Sequence, residues 1–114
     1  MNKFELFTMI FYALDLYYEE NPADELGSFL GAMSPFTFKE VDSADSAIYT
    51  DFCGKIKKNK ITVKESRDMA IEYLKSFDDI DLVSPFTNVT ETEWIEGCND
   101  YLEQPHKGQS DDKT

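Results

Sequence analysis

The chain is short of positive charge and of the residues that build catalytic and metal sites. Its 114 residues include 11 Lys and Arg against 23 Asp and Glu, one histidine and two cysteines. A net charge of −12 sets it against nucleic-acid backbones and anionic membrane surfaces, both of which would repel it. The only histidine, His106, lies in a terminal stretch from Pro105 to Thr114 that has no apolar residue. Nothing there would hold an imidazole against a nucleophile, so Ser-His or Cys-His catalysis is not expected. Cys53 and Cys98 are too far apart for a C-x-x-C redox or zinc motif and too few for a disulfide framework, and they read as buried thiols. No apolar run approaches the ~20 residues of a membrane span. The longest, Leu6 to Leu14, is preceded by Glu5, ended by Asp15 and followed by no small-x-small cleavage site. It is therefore not read as a signal peptide, and the chain is expected to start at Met1 and work in the cytosol. Without a secretion signal, the Asn88-Val89-Thr90 sequon is read as chance.

What is present is apolar and helical. A hydrophobic content of 41% and an aromatic content of 14% are too high for a disordered acidic tail, and the length suits one compact domain. Phe4, Phe7, Phe11, Leu14 and Tyr18 recur at helical spacing, flanked by Ile10 and Tyr17, with Leu6, Met9, Ala13 and Leu16 widening the apolar surface. Glu5, Thr8, Tyr12, Asp15 and Glu19 remain as one polar wedge. A helix from Lys3 to Glu20 that is apolar over most of its circumference is expected at the centre of the core. Asn21 as N-cap and Pro22 at the first position predict a second helix carrying Leu26, Phe29, Leu30 and Met33, stopped by Ser34-Pro35. Within it, the spacing of Gly27 and Gly31 allows close helix packing. Phe36 and Phe38 suggest a short extended link.

A third helix starts near Ser43 or Asp45 and places Ile48, Phe52 and Ile56 on one face, with Lys55, Lys57 and Lys58 suited to its negative end. Capping-box patterns at Thr62-x-x-Glu65 and Thr90-x-x-Glu93 open two more helices. The first carries Met69, Ala70, Tyr73, Leu74 and Phe77; the second carries Ile95, Cys98, Tyr101 and Leu102 with Trp94 beside them. Between them, Asp78 to Phe86 reads as a loop anchored by its apolar members with its carboxylates in water. No strand alternation and no internal repeat appear. The expected fold is an all-α single-domain bundle of four to five helices over residues 1–104, followed by a polar flexible tail over 105–114.

The charge is uneven. Met1 to Gly54 holds ten acids and two bases, Lys55 to Ser76 three acids and seven bases, and Phe77 to Thr114 ten acids and two bases. The basic centre either pairs with the acidic flanks across the bundle, leaving a merely soluble surface, or leaves a face of clustered carboxylates for a cationic partner. Asp79-x-Asp81 starts like a calcium loop, but Val83 stands at the third ligand position and no glycine follows, which rules out an EF-hand. A looser carboxylate site around Asp78, Asp79 and Asp81 is weaker than a solvated loop, so no metal and no cofactor are expected. Tyr17 and Trp94 are better explained by core packing than by an interface. Tyr12 is different because it lies in the polar wedge with Asp15 and Glu19. The candidate partner-binding set is Tyr12, Asp15, Tyr18, Glu19, Glu20, Asp24, Asp78, Asp79 and Asp81.

The stretches Glu20-Asn21-Pro22-Ala23-Asp24-Glu25-Leu26-Gly27 and Ser43-Ala44-Asp45-Ser46-Ala47-Ile48-Tyr49 resemble those of small acidic bacterial proteins of polymorphic toxin systems. In broad character the chain is similar to the immunity proteins of contact-dependent growth inhibition. That resemblance implies a cytosolic protein that binds the toxic domain of a cognate effector and occludes its active site. It also supplies a reason for the charge, since many such toxins are nucleases, whose substrate sites are basic. The resemblance transfers no functional residue. Two other classes stand beside it: a small α-helical adaptor or regulatory subunit with no toxin partner, and an enzyme with paired carboxylates and a divalent metal.

Overall fold

The computed structural model describes residues 1–35 and 43–104. The link at Phe36 and Phe38 and the 105–114 tail with His106 lie outside the described residues. The fold is all-α, as the periodicity predicts, with α1 (Lys3–Glu20), α2 (Asp24–Met33), α3 (Ser46–Lys55), α4 (Val63–Leu74), α5 (Val83–Thr87) and α6 (Glu91–Leu102). Among the described residues there is no strand.

The central position of α1 follows from its apolar circumference. It packs against each of the other five helices, and Leu6, Phe7, Ile10 and Leu14 are fully buried. Each such side chain contributes about 1.5–3 kcal/mol on leaving water. From Phe7, edge-to-face rings run outward through three other helices. Phe7 meets Phe52 of α3 at 5.1 Å, Phe52 meets Tyr73 of α4 at 4.8 Å, Tyr73 meets Phe77 at 5.3 Å, and Phe77 meets Phe29 of α2 at 5.2 Å. This geometry adds to the area term because ring edges and faces carry opposite partial charge.

The polar wedge of α1 splits in two. Glu5 and Thr8 are buried, whereas Tyr12 and Glu19 are exposed and Asp15 is half-buried. Burial of Glu5 is tolerated because its carboxylate accepts the Asn2 N–H at 2.7 Å while the Asn2 side chain accepts the Glu5 N–H at 2.8 Å. This third capping box satisfies two orphan donors and the carboxylate together.

The second helix begins later than expected. Asn21 caps the end of α1 instead, its backbone N–H donating to the Tyr17 carbonyl at 2.9 Å. Pro22 then follows a helix end, a position it suits as well as a helix start. The N-cap of α2 is Ala23, without a side-chain cap, while Asp24 and Glu25 occupy the first turn. Gly27 does provide close packing: a methyl group there would sit 2.8 Å from the Tyr18 hydroxyl, whereas one at Gly31 would meet nothing within 4 Å.

The helix starts at Asp45, Thr62 and Thr90 fall where their capping residues place them. At the end of α3, the Lys3 and Lys57 ammonium groups donate to the Cys53 and Gly54 carbonyls, each at 2.9 Å. The expected loop before α6 contains the short helix α5, which sequence periodicity is too brief to register. Asp81 opens it by accepting the Ser84 N–H at 3.1 Å, and Pro85 is tolerated because it falls in the first turn. Leu82 and Phe86 are buried and anchor this segment, with Asp78, Asp79 and Asp81 exposed.

Trp94 belongs to the core, at 1% exposure. Its indole N–H donates to the Ser66 hydroxyl at 2.9 Å, and that hydroxyl donates to the Val63 carbonyl at 2.7 Å. The pair ties α6 to α4 through a polar contact that has no water to replace it. Ser66→Ala is therefore expected to lower stability by about 1–3 kcal/mol, the cost of an orphaned buried donor. A urea titration of the variant followed by Trp94 fluorescence checks this.

Two capping carboxylates make folding pH-dependent. The Glu65 carboxyl is held down from its ordinary 4.5 to about 2, first by the Lys58 ammonium and then by the Thr62 backbone N–H. Glu93 is also lowered, by the Thr90 backbone N–H and hydroxyl. A depressed folded-state value stabilises the fold above the unfolded value, and this stabilisation is lost as pH falls through the folded one. The stability gap between the wild-type chain and Glu65→Gln should accordingly be full at neutral pH and close as pH drops from 4.5 towards about 2. Denaturant midpoints of the two chains across that range are the measurement.

Candidate functional site: an acid-rimmed groove between the first and last helices

Two ridges at i, i+4, i+8 spacing face each other across one surface. Tyr12, Leu16 and Glu20 come from α1, and Glu93, Gly97 and Tyr101 come from α6. Between them lies a groove of about 460 Å³, with Met9, Ala13, Val89 and Trp94 among its lining residues. Spacing of four residues places side chains on one helical face, one above the other, so each helix presents a continuous edge.

The groove stays open at Gly97. A methyl group there would meet only Met9 Cε, at 3.5 Å, so the missing side chain leaves room that no neighbour fills. Tyr12 and Tyr101 bridge the two helices edge to face, 6.0 Å between ring centroids. Burial raises the Tyr12 hydroxyl and pushes the Tyr101 hydroxyl up to about 12. Both rings thus stay neutral through physiological pH and add no charge to the groove. Leu16 is 54% exposed and Tyr12 38%, the two large hydrophobic side chains left in water among the described residues. Both lie in this one groove.

Its surroundings are negative. Together α1 and α6 carry eight acidic residues and one base, Lys3, and Lys3 donates to the Cys53 carbonyl. The Glu93 carboxylate is fixed by the Thr90 N–H at 2.9 Å and remains ionised. Ion pairs among the described residues include Lys55–Asp51, Lys58–Glu65 and Lys75–Glu72, at 3.1, 2.6 and 3.3 Å. All join near neighbours in sequence, and none of the three reaches α1, the start of α2 or α6.

The groove takes in Tyr12 and Glu20 from the nine residues expected at a partner site. Tyr18 turns to Gly27 of α2 instead. Asp15 and Glu19 remain on α1 outside the lining, Asp24 stands in the first turn of α2, and Asp78, Asp79 and Asp81 are exposed on the segment before α5. Among the described residues no group of three or more His, Cys, Asp or Glu side chains is placed to hold a metal ion. The Cys98 thiol is buried and pushed up to about 12, which keeps it unreactive. Sequence reasoning missed that Leu16 and Gly97 line one groove; the two i, i+4, i+8 rows were its only signal.

No helix among the described residues is long and apolar enough to cross a membrane. Comparison with protein families, curated proteins and solved structures found no match to this chain.

Because the Gly97 site is roomy and helical, Gly97→Ala is expected to stabilise the fold by up to about 1 kcal/mol, the propensity difference between the two residues. Thermal unfolding of the variant gives the value; a loss of stability would mean that the backbone at Gly97 needs to stay bare.

Proposed function

We propose that this protein is an inhibitor of the immunity type, which binds a cationic toxin domain and occludes its basic active site. The observation that carries this reading is the disposition of charge. Among the described residues, Asp15, Glu19 and Glu20 of α1 and the acids of α6 take part in none of the ion pairs Lys55–Asp51, Lys58–Glu65 and Lys75–Glu72, and several sit where they weaken their own helix. Glu19 and Glu20 occupy the last turn of α1, which holds no base, and the last turn of α6 likewise has none. Carboxylates at the negative end of a helix dipole are unfavourable by some tenths of a kcal/mol each. A surface kept acidic at such a cost gains when a cation arrives. Such a field acts chiefly on the rate of encounter and on the choice of partner.

The mechanism is occlusion. Asp15, Glu19, Glu20, Asp24 and the Asp78-Asp79-Asp81 segment draw Lys and Arg of the toxin domain, and apolar contact then holds the complex. The acidic face takes the place that a polyanionic substrate would occupy. A second reading, an α-helical adaptor for a non-toxic cationic partner, uses the same surface. It is separated by what the partner does to a cell.

Capture of the partner from the source cell, followed by its expression alone and together with this chain, decides between them. The inhibitor reading expects toxicity that co-expression removes. With that partner in hand, the association rate should fall steeply as salt rises, because screening shortens the reach of surface charge to about 10 Å at 0.1 M. Reversal of Asp78, Asp79 and Asp81 to Lys should slow association at low salt with a smaller change in dissociation. Stopped-flow rates that ignore ionic strength would remove electrostatic steering from the proposal.

A further inference from the structure

We infer that the groove between α1 and α6 is the anchor slot of this surface, and that it takes an aliphatic side chain flanked by Lys or Arg on a segment of a protein partner. The inference rests on the reading of a cationic partner and names the place and the chemistry of its anchor.

The occupant is set by what the groove offers. Its floor is apolar, with Met9, Ala13 and Val89, and its edge holds the exposed Leu16 and Tyr12. That lining gains from an aliphatic group and includes no Lys or Arg for an anion. A volume of about 460 Å³ lies in the range that accommodates drug-sized ligands, and so admits one or two large side chains. The flanks must be basic because Glu20 and Glu93 line the groove, with Glu96 and Asp100 exposed on the same helix as Glu93. A second copy of this chain is a poor occupant: each copy carries −12, and the rims that would meet are both acidic. Gly97 is the residue that keeps the slot open, since any side chain larger than methyl would project into it.

The consequence is a division of labour. Carboxylates across α1, α2 and the segment before α5 attract the partner, while the slot determines how long it stays. Aromatic and aliphatic anchors in desolvated pockets dominate the energetics of such contacts, and the surrounding charges contribute little once in place.

The 114-residue chain is titrated with three synthetic helical peptides: one with Leu on one face and Lys on the other, one with Ser replacing Leu, and one with Glu replacing Lys. Trp94, the single tryptophan and part of the groove lining, reports on occupancy by fluorescence, and amide shifts in a nitrogen–proton NMR spectrum map the site. The Leu/Lys peptide is expected to shift Tyr12, Leu16, Val89 and Gly97. The Leu-to-Ser peptide should bind at least tenfold more weakly, and the Leu/Glu peptide should not bind.

Gly97→Leu should weaken the Leu/Lys peptide about tenfold by filling the slot. Leu16→Ser, an exposed change that leaves the core untouched, should weaken it in the same direction and guards against a folding defect at Gly97. Equal binding by the Leu and Ser peptides, with shifts at Asp78 to Asp81 instead, overturns the slot and leaves the cationic-partner reading standing. Binding by neither basic peptide overturns both. A concentration-dependent dimer in sedimentation, with the groove amides shifting on dilution, would assign the slot to a second copy and refute the proposal.

Discussion

The structure depends on the burial of α1. A single helix that is apolar around most of its circumference cannot be satisfied by one neighbour, so it forces the rest of the chain to wrap it, and each of the five other helices touches it. Its aromatic residues then set the order of the layers. Phe7 contacts Phe52 and Tyr49 of α3, and the ring series continues into α4 and α2. With the helix centre taken up by hydrophobic contact, polar groups at its start are buried too, and the Asn2–Glu5 capping box makes that burial tolerable.

The same constraint explains which features were legible in the sequence. Helix starts at Asp45, Thr62 and Thr90 are chemical events within four residues, a side-chain oxygen meeting a backbone N–H, and are readable without tertiary information. The start of α2 was not, because Asn21 has two local uses and only the packing of α1 against α2 selects the one that ends α1. Helix α5 escaped notice because five residues show no period and its anchors, Leu82 and Phe86, are defined by what lies beneath them. The polar wedge of α1 does not form one exposed stripe. Its first half is instead covered, since exposure along a helix depends on where neighbours stop, not on the residues of the helix itself.

The charge pattern raised a question that only the fold could answer. Seven bases in the centre of the chain could have been folded against either acidic flank. Several are used nearer home: Lys58 holds the carboxylate of the capping box that starts α4, Lys57 caps α3, and Lys55 lies 5.8 Å from the Tyr73 ring while pairing with Asp51, whereas Arg67 reaches the Val89 carbonyl at 3.1 Å. The pairings with Asp51, Gly54 and Glu65 are short in sequence and cheap in entropy, and each occupies a base that could otherwise reach the distant acids. The acidic flanks keep their potential for that reason, and not because of any excess that the count of charges alone would reveal.

Whether that potential has a place to act is decided by one residue without a side chain. Two packed helices ordinarily close the gap between them with interdigitated ridges, and α1 presents Leu16 in the right place to do so. On α6 the groove is lined at Gly97 by a residue without a side chain, and Leu16 on the same groove stays 54% exposed. A core helix that should bury every leucine it carries leaves one more than half exposed, beside a tyrosine, between carboxylates. Hydrophobic burial built the fold around α1 and was left incomplete at this strip alone among the described residues. The unfinished contact and the acids of α1 and α6 lie on the same surface, so the proposed partner, by supplying both an aliphatic group and a cation, would complete the packing of α1 and relieve the repulsion around it in one step.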